Sequence, residues 1–364
     1  MPNVLDIRRR IRSVTNTRQI TRAMKLVAAA RLRRAQERAL SARPYEKMLA
    51  SVLKSLIARA EIYDPKTGDI QHPLLAEREE KNVLVWIVSG DRGLAGAFNS
   101  NIVRAAIRFV NEKAGLDLGF SETLPPDGGA PRMRSPVQRI ELQAIGRKGR
   151  DLLRRRFPIA EPNSRERGVY LIGDLMATNK IDHSQATELS QRIIDRYTRG
   201  EIDSVYLAFN EFKSVIAQRV VVEKLTPIRE IGRENVQQAE ELTEEQQRSA
   251  LDAAKGAGVR LRPADTRAID ERAAQFASAS VDYIYEQSPR EMFSGLLSKY
   301  VGVQVFRAVL ESVAAEHAAR MTAMDSATDN ANKMSDSLTL AMNRARQAKI
   351  TNEIIEIVSG AAAE

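Results

Sequence analysis

The sequence contains no cysteine. That excludes a disulfide framework, a thiolate metal site and a cysteine nucleophile, and it is the usage expected of a reducing compartment. Histidine is nearly as scarce. His72, His183 and His317 are the three, and none has a second histidine at ligand spacing, which argues against a zinc site. Aromatic residues make up 5% of the chain, and none occurs before Tyr45. No run is long and apolar enough to span a bilayer, and the opening "MPNVLDIRRRIRSV" carries no apolar signal-peptide region. The expectation is a soluble protein, or one that sits on a membrane through a partner. No serine sits in a nucleophile-elbow pattern. Paired acids such as Glu240–Glu241 and Glu244–Glu245 fall in a polar stretch that reads as a solvated face. No catalytic set, cofactor site or metal site is expected.

Positive charge, by contrast, is concentrated at one end. The chain of 364 residues has a formal charge of +9. Residues 1–60 hold 15 Lys and Arg against Asp6, Glu37 and Glu46, so this segment is +12 and the remainder −3. A basic segment suits an anionic partner. Three readings stand: a nucleic-acid-binding helix, a solvated helix face, or a basic track that meets acidic loops of a protein. Nucleic-acid binding often adds aromatics that stack on bases, and their absence here weighs against the first.

The same 60 residues read as one long helix. Neither Pro nor Gly occurs between Pro2 and Pro44, and Ile7, Ile11 and Val14 recur at helical spacing, as do Ile20, Met24 and Val27. Asn3 is a candidate N-cap, with Asp6 in the first turn where the helix dipole favours an anion. Pro44 either starts a new segment or kinks the helix. Residues 61–80 form a turn-rich linker. From 81 to 228 strands alternate with helices. "KNVLVWIVS" is a strand buried on both faces, followed by the turn "GDRGLAGAFN" and the helix "SNIVRAAIRFVNEKAG". "VQRIELQAIG" and "RKGRDLLRRRF" repeat the unit. "RGVYLIG", "IDSVYLAFNEF" and "SVIAQRVVVEKLTPI" are strands around the helix "SQATELSQRIIDRYTRG". This pattern predicts a small Rossmann-like α/β domain. Residues 229–262 are Glu/Gln-rich and read as an exposed polar insertion, either irregular or a loose helix.

Residues 263–364 close the chain with a second long helix, traced from about Pro289 to Val358. A stripe runs through Val301, Val305, Val309, Val313, His317, Met321, Met324, Thr328, Ala331, Ser335, Leu338, Met342 and Ala345, always three or four residues apart. The predicted fold class is therefore α/β: a long antiparallel coiled coil of the two terminal helices plus the small domain that brings them together. The stripe is weak, since Thr328, Ala331, Ser335 and Ala345 bury little. The C-terminal helix is expected to outrun its partner, and a single helix in water is marginal. Yet that tip crowds in Ile350, Ile354, Ile355, Ile357 and Val358. An aliphatic tip on a single helix implies an outside sleeve.

The turn "SGDRGLAGAFN" has glycines at a helix start, as a phosphate loop does. It lacks the Gly-Lys-Ser/Thr ending of a Walker motif and the three-glycine dinucleotide pattern. It reads either as a tight strand-to-helix turn or as an anion site, which keeps a nucleotide-hydrolysing enzyme among the alternatives.

Four stretches carry a resemblance. "IRRRIRSVTNTRQITRAMKLVAAARLRRAQ" closely resembles the N-terminal helix of the γ subunit of bacterial F-type ATP synthase, and "ITNEIIEIVSGAAAE" resembles that family's C-terminal signature. "DRGLAGAFN" is similar to its Asp-Arg-Gly-Leu-x-Gly turn and "MDSATDNA" to its Met-x-x-Ala-Thr-Asp-Asn stretch, and all four stand in family order. The loop near 119–136 and the stretch 229–262 are longer than a bacterial member leads one to expect. The cysteine pair of the chloroplast branch is absent.

The resemblance implies a function: the central rotor shaft that couples ion-driven rotation of the c ring to ATP synthesis in a hexamer of α and β subunits, with no catalytic site of its own. It implies one copy per complex, the ε subunit and the c ring as further partners, no nucleic acid, and no membrane contact except through the ring. The place implied is the cytoplasmic face of the plasma (inner) membrane, held peripherally. It assigns Arg31, Arg33 and Arg34 to the acidic levers of β, Met24 to a position beside a lever, and Arg346 and Gln347 to a polar contact with a β loop. Ile350, Ile354, Ile355, Ile357 and Val358 would turn in an apolar bearing. Asn210 and Phe212 would lie on the foot toward the c ring.

Overall fold

A computed structural model describes residues 4–57, 72–116, 135–162, 166–173, 178, 181–229, 231–232, 235–259 and 288–361. Most of the expected linker, the loop near 119–136 and the start of the 263–364 segment lie outside the described residues. Two long helices frame the molecule, α1 (Val4–Ile57) with 54 residues and the C-terminal helix, here α6 (Pro289–Ala361), with 73. α1 runs through Pro44 without ending.

The helices pair antiparallel. Arg18 Nη1 lies 3.3 Å from Asn332 Oδ1, the hydroxyls of Thr21 and Thr328 are 2.8 Å apart, and Lys25 Nζ is 2.5 Å from Asp325 Oδ1. In each pair the residue numbers total 349 or 350, so Val4 stands opposite a position near 346. Beyond it α6 continues past the start of α1 to Ala361, roughly 22 Å at 1.5 Å per residue.

The inward stripe of α1 starts at Ile7, Ile11 and Val14 as expected, then departs from the sequence reading. It continues through Arg18, Thr21, Lys25, Ala28, Leu32, Ala35 and Ala39. Ile20 and Val27 instead point outward, at 60% and 52% exposure. Both spacings are helical. The tie is broken by α6, which presents Asp325, Thr328 and Asn332 at this level and draws the polar side chains of α1 inward. On α6 the expected stripe holds: Val301, Val305, Val309, His317, Met321, Met324 and Ala331 are buried, and Ser335, Leu338, Met342 and Ala345 are half-buried.

Between the helices lies a six-stranded sheet. It comprises β1 (Asn82–Val88), β2 (Arg139–Ile145), β3 (Gly168–Leu171), β4 (Ser204–Phe212), β5 (Gln218–Thr226) and β6 (Val236–Glu241) in the order β3-β2-β1-β4-β5-β6. The first four are parallel, and β5 and β6 run antiparallel at one side. The helices are α2 (Phe98–Ala114), α3 (Arg147–Leu153), α4 (His183–Thr198) and α5 (Glu244–Gly256). Alternation along β1 explains its continuous apolar run. Val83, Val85 and Ile87 pack under α2, whereas Leu84, Trp86 and Val88 pack against α4 and the roots of α1 and α6. The strand is buried on both faces.

The described residues of 229–262 are not the exposed extension their composition suggested. They supply β6, which pairs with β5, and α5, whose start is closed by a capping box of Thr243 and Gln246. Ala250, Ala253 and Ala254 are buried with Leu32 of α1, Met321 of α6, Phe98 and Phe212. Alanines at helical spacing form a burial stripe that a search for large apolar residues misses, and their size lets the helix approach closely.

One ion cluster ties sheet to helix. Glu80 accepts from Tyr206 Oη at 2.6 Å, Lys224 Nζ at 2.7 Å and Lys113 Nζ at 2.8 Å. Burial alone would raise its carboxyl, but these donors outweigh it and bring the pKa down to about 2. A depressed carboxylate stabilises fully above its ordinary value near 4.5 and loses that contribution as pH falls toward 2. Glu80→Gln is expected to flatten the dependence of melting temperature on pH across that window. An acid limb as steep as in the parent would refute it.

Candidate partner-binding surfaces

The tip of α6 is the most apolar exposed surface described. Ile350, Ile354, Ile355, Ile357 and Val358 are 48%, 55%, 55%, 71% and 62% exposed, on a helix that has no partner at that level among the described residues. Just below, Arg346 and Gln347 are exposed, and the Gln347 carbonyl accepts from Thr351 Oγ1. Along α1, Arg31 and Arg34 point outward and Met24 is half-buried. Arg33 is exposed but engaged: its Nη2 donates to the carbonyls of Gly258 at 2.8 Å and Ala257 at 3.1 Å, where α5 ends. The basic track is thus split, with one of its three guanidinium groups capping a helix of its own chain.

Asn210 and Phe212 belong elsewhere than their assignment to the foot surface supposed. Both lie on β4 and are buried, at 7% and 4% exposure, and Phe212 packs among Leu32, Ala253 and Met321. They face the junction with the shaft and present no side chain for a ring to grip. The run "SVYLAFNEF" carries the reason, because a strand buried along its whole length leaves no outward face.

Sequence reasoning missed the outer face of α1. Ile20, Leu26 and Val27 are 60%, 56% and 52% exposed, between Arg18 and Arg31. Their offset from the Ile7–Ile11–Val14 stripe was the available signal. His317, by contrast, packs inside. Burial, with Arg320 and Arg31 nearby, lowers its pKa to about 4, so it is neutral at physiological pH.

The glycine turn joins β1 to α2 at the carboxyl end of the sheet, beside the β1–β4 boundary where strand order reverses. Doubly wound sheets hold their ligands in the crevice at that place. Here α6 fills it. Arg320 pairs with Glu316 at 2.5 Å and donates to the Gly93 carbonyl at 3.3 Å. Ser312 Oγ reaches the Val88 carbonyl at 3.2 Å. A Cβ on Gly90 would stand 2.9 Å from Glu316 Cδ. The turn is a socket for a helix: its glycines let the shaft approach, and Gly96 (φ 57°) and the exposed Leu94 (φ 63°) adopt left-handed conformations to close it. Among the described residues no cluster of three or more His, Asp or Glu is placed to hold a metal ion, and no helix is long and apolar enough to cross a membrane.

Comparison with known proteins gives a consistent result. A family model described as ATP synthase matches residues 3–363. The ATP synthase gamma chain of Solibacter usitatus is 41% identical, with 100% of this chain and 99% of that protein covered. Those of Anaeromyxobacter sp. (strain Fw109-5) and Pelotomaculum thermopropionicum are 40% and 38% identical, again covering 100% of this chain and 99% of each relative. Among solved structures, the central stalk and c ring of Tetrahymena thermophila mitochondrial ATP synthase aligns with a TM-score of 0.48 at 20% identity, covering 85% of this chain and 99% of that chain.

Proposed function

The chain belongs to the ATP synthase gamma family, and from that premise we propose that it is the central rotor shaft of a bacterial enzyme. It carries the rotation of an ion-driven c ring into a hexamer of alternating α and β subunits. One copy serves each complex. Synthesis of ATP takes place in the hexamer, and this chain has no catalytic site of its own. The ε subunit and the c ring bind the α/β foot, which holds the chain peripherally at the cytoplasmic face of the plasma membrane.

One observation carries this reading: α6 outruns α1 and ends in exposed aliphatics. An isolated helix in water is marginal, so that tip is built for an enclosing sleeve. An aliphatic end suits a bearing. Dispersion and apolar burial have no preferred direction, so the tip can turn where directional hydrogen bonds would hold it at one angle. Arg31, Arg34 and Met24 are the contacts offered to the β levers, with Arg33 joining them only if it leaves α5. Exposed ion pairs are individually weak, which suits contacts that must be made and broken each turn. The turn that resembles a phosphate loop supports the non-catalytic part, since its crevice is occupied by α6.

Native mass spectrometry of the chain mixed with α and β subunits from the same source tests the reading. The expected particle holds a single copy of this chain with six other subunits. Absence of any association would remove the shaft assignment and leave nucleic acid as the partner to test for the basic helix. Within the complex, replacing Arg346 and Gln347 together by alanine is expected to slow ATP-driven turnover about tenfold, since ~1.4 kcal/mol of lost contact is worth that factor. Turnover equal to the parent's would strike both residues from the contact surface.

A further inference from the structure

The junction of shaft and foot contains buried charges. Around it lies an extensive apolar core in which Leu53 and Leu56 of α1 and Val301 and Val305 of α6 pack with Leu207 and Phe209 of β4. Apolar packing is strong but non-directional. Embedded beside it is Arg307 of α6, 8% exposed. Its Nη2 lies 2.7 Å from Glu223 Oε2 on β5, itself 9% exposed, and its Nε lies 3.7 Å from Glu46 Oε1 on α1. One turn back along α6, Gln304 Nε2 donates to the same Glu46 oxygen at 3.0 Å. The guanidinium also stands over the Phe209 ring, 5.8 Å from its centroid. One planar fork therefore reaches both shaft helices and the sheet. Arg43 of α1 acts nearby, with Nη2 3.5 Å from the Phe212 carbonyl and 4.0 Å from Glu311 of α6.

Buried ion pairs seldom add net stability, because desolvation offsets the attraction, and apolar residues of similar volume often do as well or better. What charges add is direction: the guanidinium hydrogen-bonds Glu223 and stands at ion-pair distance from Glu46, and both contacts are met together at one relative orientation of sheet and α1. We infer that Arg307, through Glu46 and Glu223, is a positioning residue that sets the angular register of the helical shaft on the α/β foot, so that rotation of the foot reaches the shaft without slack. The inference rests on the shaft reading above. Apolar packing holds shaft and foot together, and the Arg307 fork determines the angle.

The test compares the parent with Glu46→Gln/Glu223→Leu/Arg307→Met, which removes the guanidinium and the two carboxylates it reaches together. The chain has no cysteine, so Arg192→Cys on exposed α4 and Lys333→Cys on exposed α6 place two spin labels without background. In the full chain the expected result is an unchanged or raised melting temperature, with the label-to-label distance distribution about twofold broader. An unchanged width at any melting temperature would overturn the proposal, because packing alone would then set the angle. Should the triple variant not fold, Arg307→Lys answers the same question. A single ammonium loses the planar fork, so a broader distribution supports the register role and a parental width overturns it. Assembly with α and β is scored separately. If the parent chain fails to assemble, the shaft reading fails, while the measured width still reports on how the helices are seated.

Discussion

Ending the chain at Ala345 is expected to leave its own melting behaviour within about 1 kcal/mol of the parent and to remove most of its retention in the hexamer. The two halves of this expectation come from the same geometry. Residues past about 346 have no α1 opposite them, and the five aliphatics of the tip are 48% to 71% exposed, so they stabilise the isolated chain little. That exposure is what a sleeve would cover. Complete burial of an Ile or Val contributes about 1.5–3 kcal/mol. With roughly half of each side chain already shielded by its own helix, five of them leave about 4–7 kcal/mol for a partner. At 1.4 kcal/mol per factor of ten, that is about three to five orders of magnitude in affinity. The measurement is occupancy of this chain in the seven-subunit particle, with and without residues 346–364. Equal occupancy would mean that the tip is not held and that the foot or the basic track does the retaining. A fall in the isolated chain's stability would mean that the tip packs on its own molecule.

The second large effect is expected at Gly146, between β2 and α3. Its φ is 100°, and an added Cβ would meet the Ser89 carbonyl oxygen at 2.1 Å. No side-chain shift relieves this, because the nearest obstacle is the backbone of Ser89, the residue after β1. Ser89 is also pinned: its Oγ donates to the Ile145 carbonyl at 3.0 Å and accepts from Gly149 N–H at 2.9 Å, and its carbonyl accepts from Thr178 Oγ1 at 2.6 Å. Left-handed strain costs about 1–3 kcal/mol, and separating β1 from β2 to relieve the overlap adds lost packing. Gly146→Ala is expected to destabilise the chain by about 4 kcal/mol or more. Chemical denaturation measures it. A loss under about 1 kcal/mol would mean that the β1–β2 end relaxes readily and is no rigid seat for α6.

A smaller pH effect runs opposite to that of Glu80. Burial raises the Glu311 carboxyl to about 7, with Arg307 and Arg43 pulling it down by less. A raised carboxyl favours the protonated folded state below its ordinary value and loses that advantage as pH climbs through the folded value. Glu311→Gln is therefore expected to improve stability relative to the parent more at pH above about 7 than below about 4.5. An equal difference at both ends would show that the carboxyl does not titrate in this window.

Much of the architecture was legible before any coordinates. β1 is a run too apolar to face water on either side, and the alternation of strand-like runs with amphipathic helices left few arrangements. The α6 stripe was traceable through weak members such as Ser335, because helical spacing survives when residue size does not. The outer end of α1 was less legible. Ile20–Met24–Val27 and Arg18–Thr21–Lys25 are equally helical, and only the polar side chains of α6 opposite them select the second. Asn210 and Phe212 failed for a related reason, since a strand's sequence does not say that a shaft covers its last residues. Residues 229–262 failed because alanine carries almost no hydropathy signal, yet three alanines on one face of α5 suffice when Leu32 and Met321 wait for them.

Among the described residues outside 229–262, the sequence by itself determined which segments are helix and strand; it also determined that one end of the molecule is basic, that no thiol chemistry is available, and that the last turns are too aliphatic to stand alone. These are local properties, set by spacing and side-chain type. Only the tertiary structure decided which face of α1 is inward, that the glycine turn holds a helix, that Arg33 is shared with α5, and that Arg307 joins three elements in one buried fork. Each of these depends on groups more than 50 residues apart in sequence meeting within a few ångströms, and neither propensity nor periodicity encodes such distances.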